Sequence, residues 1–276
     1  MIRKTQSCLS VALALAATSM LTAQPAQAED FIKGGEETFS FNLGGIVNQF
    51  DTSVRLDGAA GKGTQINLEG NGLSENLTSF VASGTWRITE RNRVDALYFG
   101  VDRSGSSTSK QDITVEDQVI PAGSTVSAEA QADFLLFDYR YSFYKSNAWE
   151  FAGALGFYGG NFDFTVAGPG IVLGSPVNAS ASTTVPLPLI GLTADWYVQP
   201  AWTVSSKLLG MQADIGDVDG SITVFTISTD YMFTRNLGLG MAYLYTNIDV
   251  DVSKSDFNGN IEFGSNAVLL YAAVKF

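Results

Sequence analysis

The sequence predicts an all-β fold: an antiparallel up-and-down transmembrane β-barrel of about ten strands. Three observations predict it. Ten stretches alternate apolar and polar residues with a period of two. Their connections alternate between short and long. Charged residues in the membrane-depth part of stretches two to ten keep to the face opposite the bulky aromatics.

Taken in order, the stretches are 38–56, 76–88, 93–103, 126–144, 148–164, 185–198, 201–213, 221–233, 237–250 and 260–276. Each is long enough to cross an outer membrane at the usual ~9–11 tilted residues. The first stretch and the 57–75 segment leave eight or twelve strands as alternative parses. In the second, Phe80, Ala82, Gly84 and Trp86 share a face and Arg87 takes the other. In the third, Val94, Ala96 and Tyr98 oppose Arg93 and Asp95. In the fourth, Leu135, Phe137, Tyr139 and Tyr141 oppose Asp138 and Arg140. The fifth sets Trp149, Phe151 and Leu155 against Glu150, and the sixth sets Ile190, Leu192, Ala194 and Trp196 against Asp195. Trp202, Val204 and Leu208 oppose Lys207 in the seventh. Phe225, Ile227, Tyr231 and Phe233 oppose Asp230 in the eighth. A basic side chain facing hydrocarbon at mid-depth costs roughly 2–4 kcal/mol, which is enough to enforce this sorting. A soluble barrel would be sorted the other way.

The short connections are 89–92, 145–147, 199–200 and 234–236; the long ones are 57–75, 104–125, 165–184, 214–220 and 251–259. The chain's four tryptophans, Trp86, Trp149, Trp196 and Trp202, all lie within a few residues of a short turn, and Phe276 joins them at that level. Indole rings favour the boundary between hydrocarbon and water, so this collection reads as an aromatic girdle.

The last stretch ends on Phe276, with Val274, Ala272, Leu270 and Val268 at alternate positions before it. This ending resembles the C-terminal assembly signal of bacterial outer-membrane β-barrel proteins. The resemblance extends over nearly the whole mature length and names no functional subfamily. It implies residence in the bacterial outer membrane, with lipid and lipopolysaccharide as neighbours and the barrel-assembly machinery engaging the C-terminal strand. It also implies short turns facing the periplasm, long loops facing out, and a monomer.

Residues 1–28 read as a cleaved secretory signal peptide, leaving 29–276 as the barrel domain. Arg3 and Lys4 precede an apolar run from Leu9 to Leu21, and Ala26-Gln27-Ala28 is an A-x-A cleavage site. Cys8, the sole cysteine, falls in that leader, so the mature chain forms no disulfide. No later apolar run approaches the ~20 residues of a membrane helix. Loss of Arg3 and Lys4 moves the net charge from −12 to −14. That balance excludes a phosphate-binding nucleic-acid partner and favours a surface that attracts cations.

Four groups of residues are candidates for function. Arg87, Arg93, Asp95, Asp138, Arg140, Glu150, Asp195, Lys207 and Asp230, with Lys275, fall on the inward face. They form either a paired polar plug or a narrow constriction lined by both signs. The acidic outer residues, Asp112, Glu116, Asp117, Asp214, Asp217, Asp219, Asp249, Asp251 and Asp256, read as a solvated surface or as divalent-cation binders that bridge lipopolysaccharide. No full calcium-loop pattern supports the second reading. Pro186 and Pro188 read as the late start of a strand, and 166–173 is an unusually apolar outer loop. Barrel hydrolases and proteases use a histidine base, and this chain has none, which disfavours an enzyme. No cofactor motif stands out. The sequence therefore supports a structural barrel or narrow passive channel, with an adhesin acting through loops 104–125 and 165–184 as the alternative, and a lipid-access barrel behind both.

Overall fold

The computed structural model describes residues 31–276 apart from 59–62, 71–73, 116–117, 170–175 and 254–257. The expected signal peptide lies outside the described residues. The strands are β1 (Phe39–Leu56), β2 (Ile66–Asn67), β3 (Asn76–Arg87), β4 (Asn92–Thr108), β5 (Ile113–Val115), β6 (Gln118–Ile120), β7 (Thr125–Lys145), β8 (Trp149–Pro169), β9 (Pro176–Gln199), β10 (Trp202–Ile215), β11 (Val218–Met232), β12 (Leu237–Ser253) and β13 (Asn258–Lys275). No helix occurs among the described residues. β1, β3, β4 and β7 to β13 are the ten staves of one antiparallel barrel, and β13 pairs back on β1 to close it. The closing register runs from Ser40↔Lys275 to Leu56↔Gly259. Phe276 extends that seam: its N–H donates to Phe39 O at 2.8 Å and its carbonyl accepts from Thr38 N at 2.6 Å. Closure matters because an open edge in hydrocarbon would leave backbone groups unpaired.

β7 displays the sorting rule along its whole length. From the short-turn end its outward residues are Phe143, Tyr141, Tyr139, Phe137 and Leu135, all exposed. Beyond them the same face turns polar: Asp133, Gln131, Glu129, Ser127, Thr125. Leu135 to Phe143 spans about 20 Å at about 2.5 Å axial rise per tilted residue. That approaches the ~25 Å apolar band of an outer-membrane barrel. On other staves the outward face turns polar in the same way: Val47 to Gln49 on β1, Tyr98 to Asp102 on β4, Tyr245 to Asn247 on β12, Val268 to Asn266 on β13. Two tyrosines mark this line. Tyr98 donates to Asp133 Oδ1 at 2.7 Å, and Tyr243 to Asn266 Oδ1 at 2.7 Å.

The inward face of β7 reverses too. Ser142, Arg140 and Asp138 lie inside the belt's lower part, followed upward by Leu136, Phe134, Ala132, Ala130, Ala128 and Val126. The lumen is therefore most densely charged near the short turns, with Arg103 and Glu69 paired higher up. Above that, it is filled by a hydrophobic core, and beyond the belt the barrel is sorted like a soluble protein, apolar within and polar without. Sequence reading emphasised the inward charges and did not anticipate this upper core. The physical reason is that the staves outrun the bilayer. Where water replaces lipid outside, the apolar residues have only the inside to pack against.

Three expectations about the outer side change accordingly. Of the expected loop 104–125, the first part continues β4 to Thr108, and β5 and β6 form a hairpin further along. The expected loop 165–184 is mostly wall, because β8 runs to Pro169 and β9 starts at Pro176. The apolar segment 166–173 is thus split. Val166 is a buried β8 residue, and 170–173 lies outside the described residues. Pro186 and Pro188 sit within β9, not at its start. β9 pairs with β8 from Trp149↔Trp196 to Pro169↔Pro176, yet its pairing with β10 stops at Ile190↔Gly210. A proline offers no N–H to a ladder. β9 loses its second neighbour just where the prolines begin.

Candidate functional site: the charged lumen

The site lies inside the short-turn end, and period-two alternation on neighbouring staves positions it. Arg87 ends β3, Arg93 and Asp95 begin β4, Asp138 and Arg140 fall on β7, Glu150 begins β8, Asp195 is near the end of β9, and Lys207 is on β10. Glu150 is 0% exposed and is the most heavily bonded member. Arg87 grips it with both terminal nitrogens, at 3.1 and 3.2 Å. Tyr197 donates its hydroxyl to Oε2 at 2.5 Å, and Ser142 donates to Oε1. Arg93 reaches Glu150 at 3.9 Å and donates to Asp195. Arg140 Nε lies 2.5 Å from Asp95 Oδ2 and its Nη1 is 3.8 Å from Asp195. Lys207 donates to Asp95 at 3.1 Å and to Asp138 at 2.5 Å. Thr85 donates to the other Asp95 oxygen at 2.6 Å.

The structure thus brings together eight of the nine lumen candidates in one network. Asp230 stands apart, accepting from Tyr271 OH at 2.8 Å with Lys275 Nζ 3.9 Å away. Several pairs link staves that are not neighbours. Arg87 and Glu150 are separated by two staves, β4 and β7; Lys207 and Asp95 by three, β7, β8 and β9. Such contacts cross the lumen. A buried charge with its partner removed is costly, so the network acts as a unit.

Sequence reading missed several participants. Glu37 approaches Arg87 at 3.6 Å from the segment preceding β1. That segment underlies the lumen: Lys145 donates to Gly35 O at 2.8 Å, and a Cβ at Gly34 would overlap the Tyr197 ring. Gly35 has φ +83°, in the left-handed region that favours glycine. Tyr197 shared the inward parity of Asp195 and was legible on that ground. Glu37 was not, because it precedes the alternating stretch.

Two further closures lie above the network. Phe134 stacks on Phe99 at 4.8 Å between centroids and meets Phe263 at 5.1 Å and Tyr158 at 5.7 Å. Phe263 also meets Phe50 at 5.7 Å. Phe134 on β7 and Phe263 on β13 are separated by three staves, so this tier also crosses the lumen. Higher still, Arg103 reaches inward and ties down the described part of the 57–75 segment through Glu69. It bonds Glu69 Oε1 at 2.5 Å and Thr52 Oγ1 at 2.9 Å, with its guanidinium 4.3 Å over the Phe50 ring. Thr64 and the β5–β6 hairpin interlock through two bonds between Thr64 and Thr114, at 2.8 and 2.9 Å. Ile66, Leu68, Ile113 and Ile120 are buried in the cap that results.

On the outside of the same end, Trp149 and Trp196 are directly paired and stacked at 5.5 Å, and Trp86 stacks on Phe39 at 6.0 Å. Trp86, Trp149, Trp196 and Phe276 are exposed. Trp202 is partly covered, and its Nε1–H donates to Thr229 Oγ1 at 2.8 Å.

A closed sheet with an apolar outer belt is a membrane-spanning barrel. No protein-family profile and no curated protein sequence matches the chain. Solved structures do. The outer membrane protease OmpT of Escherichia coli is 10% identical at a TM-score of 0.56, over 92% of this chain and 99% of that one. The outer membrane protein OprG of Pseudomonas aeruginosa is 12% identical at 0.37, over 91% and 99%. The translocator domain of the autotransporter NalP from Neisseria meningitidis is 9% identical at 0.44, over 97% and 95%. In fold the chain is a bacterial outer-membrane β-barrel.

Proposed function

We propose that this protein is a closed structural barrel of the outer membrane, one that does not conduct ions at rest. The cross-lumen contact of Phe134 with Phe263 carries this reading, because it fills the axis where a pore would run. The ion network below and the interlocked loops above support it. A pore needs a continuous hydrated path with weak, successive sites. Here the eight networked lumen charges are committed to one another, and the level above them is apolar. The chain has no histidine, and the described lumen carboxylates are paired with cations, which supports a non-enzymatic role.

Planar-bilayer recording of the purified mature chain is the test. The expected trace matches the bare bilayer, and unitary current steps of fixed size would overturn the proposal. A second reading, surface binding, is favoured by one observation. The upper halves of β7 and β8 carry Glu129, Gln131, Asp133, Asn161 and Asp163 outward above the lipid belt. Cells expressing the chain would then adhere to a host or matrix surface, and cells with Glu129, Asp133 and Asp163 changed to Ala would not.

A further inference from the structure

The plug does not fill the whole lower lumen. Between Lys207 on β10 and Asp230 on β11, those two staves also send the short side chains Thr203, Ser205, Thr226 and Ser228 inward. Their shortness leaves two adjoining chambers along that wall. The lower, about 170 Å³, is bordered at its base by Gly35 and Glu37 and faces Asp230 and Lys275. The upper, about 120 Å³, is lined by Val81, Leu97, Leu244 and Leu269. The two share Asn42, Ser83, Leu97, Thr226, Ser228 and Tyr271. The upper chamber is blind: the next inward side chains above, Ile46 on β1 and Phe99 on β4, are 0% and 1% exposed.

Asp230 and Lys275 differ from the rest of the lumen charges. Their separation of 3.9 Å is too long for a hydrogen bond, and Asp230 accepts only from Tyr271 among the described residues. An acid and a base, each with unused bonding capacity, therefore face one space, walled by hydroxyls on β10 and β11 and by the mutually paired plug charges elsewhere, whose far end is apolar. We propose that the paired chambers bind a small zwitterion bearing a short apolar group, entered from the short-turn, periplasmic end. The ammonium meets Asp230, the carboxylate meets Lys275, and the apolar group passes Tyr271 into the upper chamber. A singly charged ligand is disfavoured because it would draw one partner away and leave the other buried without a counter-charge. The inference goes beyond the closed-barrel reading and does not require it, since a blind chamber binds whether or not the barrel conducts.

The test is calorimetric titration of the folded mature chain in detergent with L-norleucine. Glycine, hexanoate and pentylamine supply the head without the tail, or the tail with one charge. Saturable norleucine binding, at least tenfold tighter than any of the three, is the expected result. Asp230→Asn and Lys275→Gln should each weaken it at least tenfold, and Ser228→Phe, which fills the shared wall, should abolish it. Unboiled gel mobility identifies the variants that fold; if Ser228→Phe does not, Thr226→Leu takes its place. The proposal is overturned by a folded wild-type chain that does not bind norleucine. Glycine binding as tightly overturns it too, as does unchanged affinity in both charge variants. Conductance recorded on the same preparation bears on the closed barrel alone.

Discussion

Glu150 is the residue on which the lower lumen turns. It takes two bonds from Arg87 and one each from Tyr197 and Ser142, with no exposure to water. Glu150→Ala leaves Arg87 buried without its main counter-charge, and such losses cost about 3–5 kcal/mol. The urea midpoint of the barrel in lipid vesicles should fall accordingly, and a midpoint within error of wild type would show that the network does not stabilise the fold. The charges themselves were legible from alternation alone, because one residue's parity fixes its neighbours' faces. Their pairing was not. Arg87 and Glu150 are 63 positions apart, and only the order of the staves brings them together.

At the scale of elements, the described part of the 57–75 segment is stitched to the wall by Arg103. Replacing Arg103 with Ala removes bonds to Glu69 and Thr52 and the packing over Phe50 at once. Protease added to intact cells should then nick the segment while sparing the wild type, and the barrel should stay folded, since no stave-to-stave pairing is lost. Equal resistance of the two chains would argue that the Thr64–Thr114 interlock suffices by itself. Arg103 sits at the end of the third alternating stretch with the parity of Arg93, so its inward direction could be read. Its partner Glu69 could not, because the segment carrying it has no period.

For the whole molecule, depth decides what a substitution costs. Leu155, 63% exposed, faces the centre of the belt, whereas Ser127 faces outward well above it. Leu155→Arg should lose about 2–4 kcal/mol of folding free energy in vesicles, and Ser127→Arg about 0–1 kcal/mol. Similar losses at both sites would remove the belt boundary drawn between Leu135 and Asp133. Cleavage after Ala28 is expected as well: N-terminal sequencing of the membrane-embedded form should begin at Glu29. A form beginning at Met1 would mean that the leader is retained.

The sequence by itself determined the ten staves, their tight turns on the short side, and the face each side chain takes. Alternation in a strand is a local property, and the surrounding solvent selects which residues can stand on each face. Tertiary structure alone decided which charges meet across the lumen, that an apolar tier and an interlocked cap close it above them, and that β9 parts from β10 near its prolines. Those features join residues on staves that are distant in the chain. They depend on the stagger at which the sheet closes, which no single strand encodes.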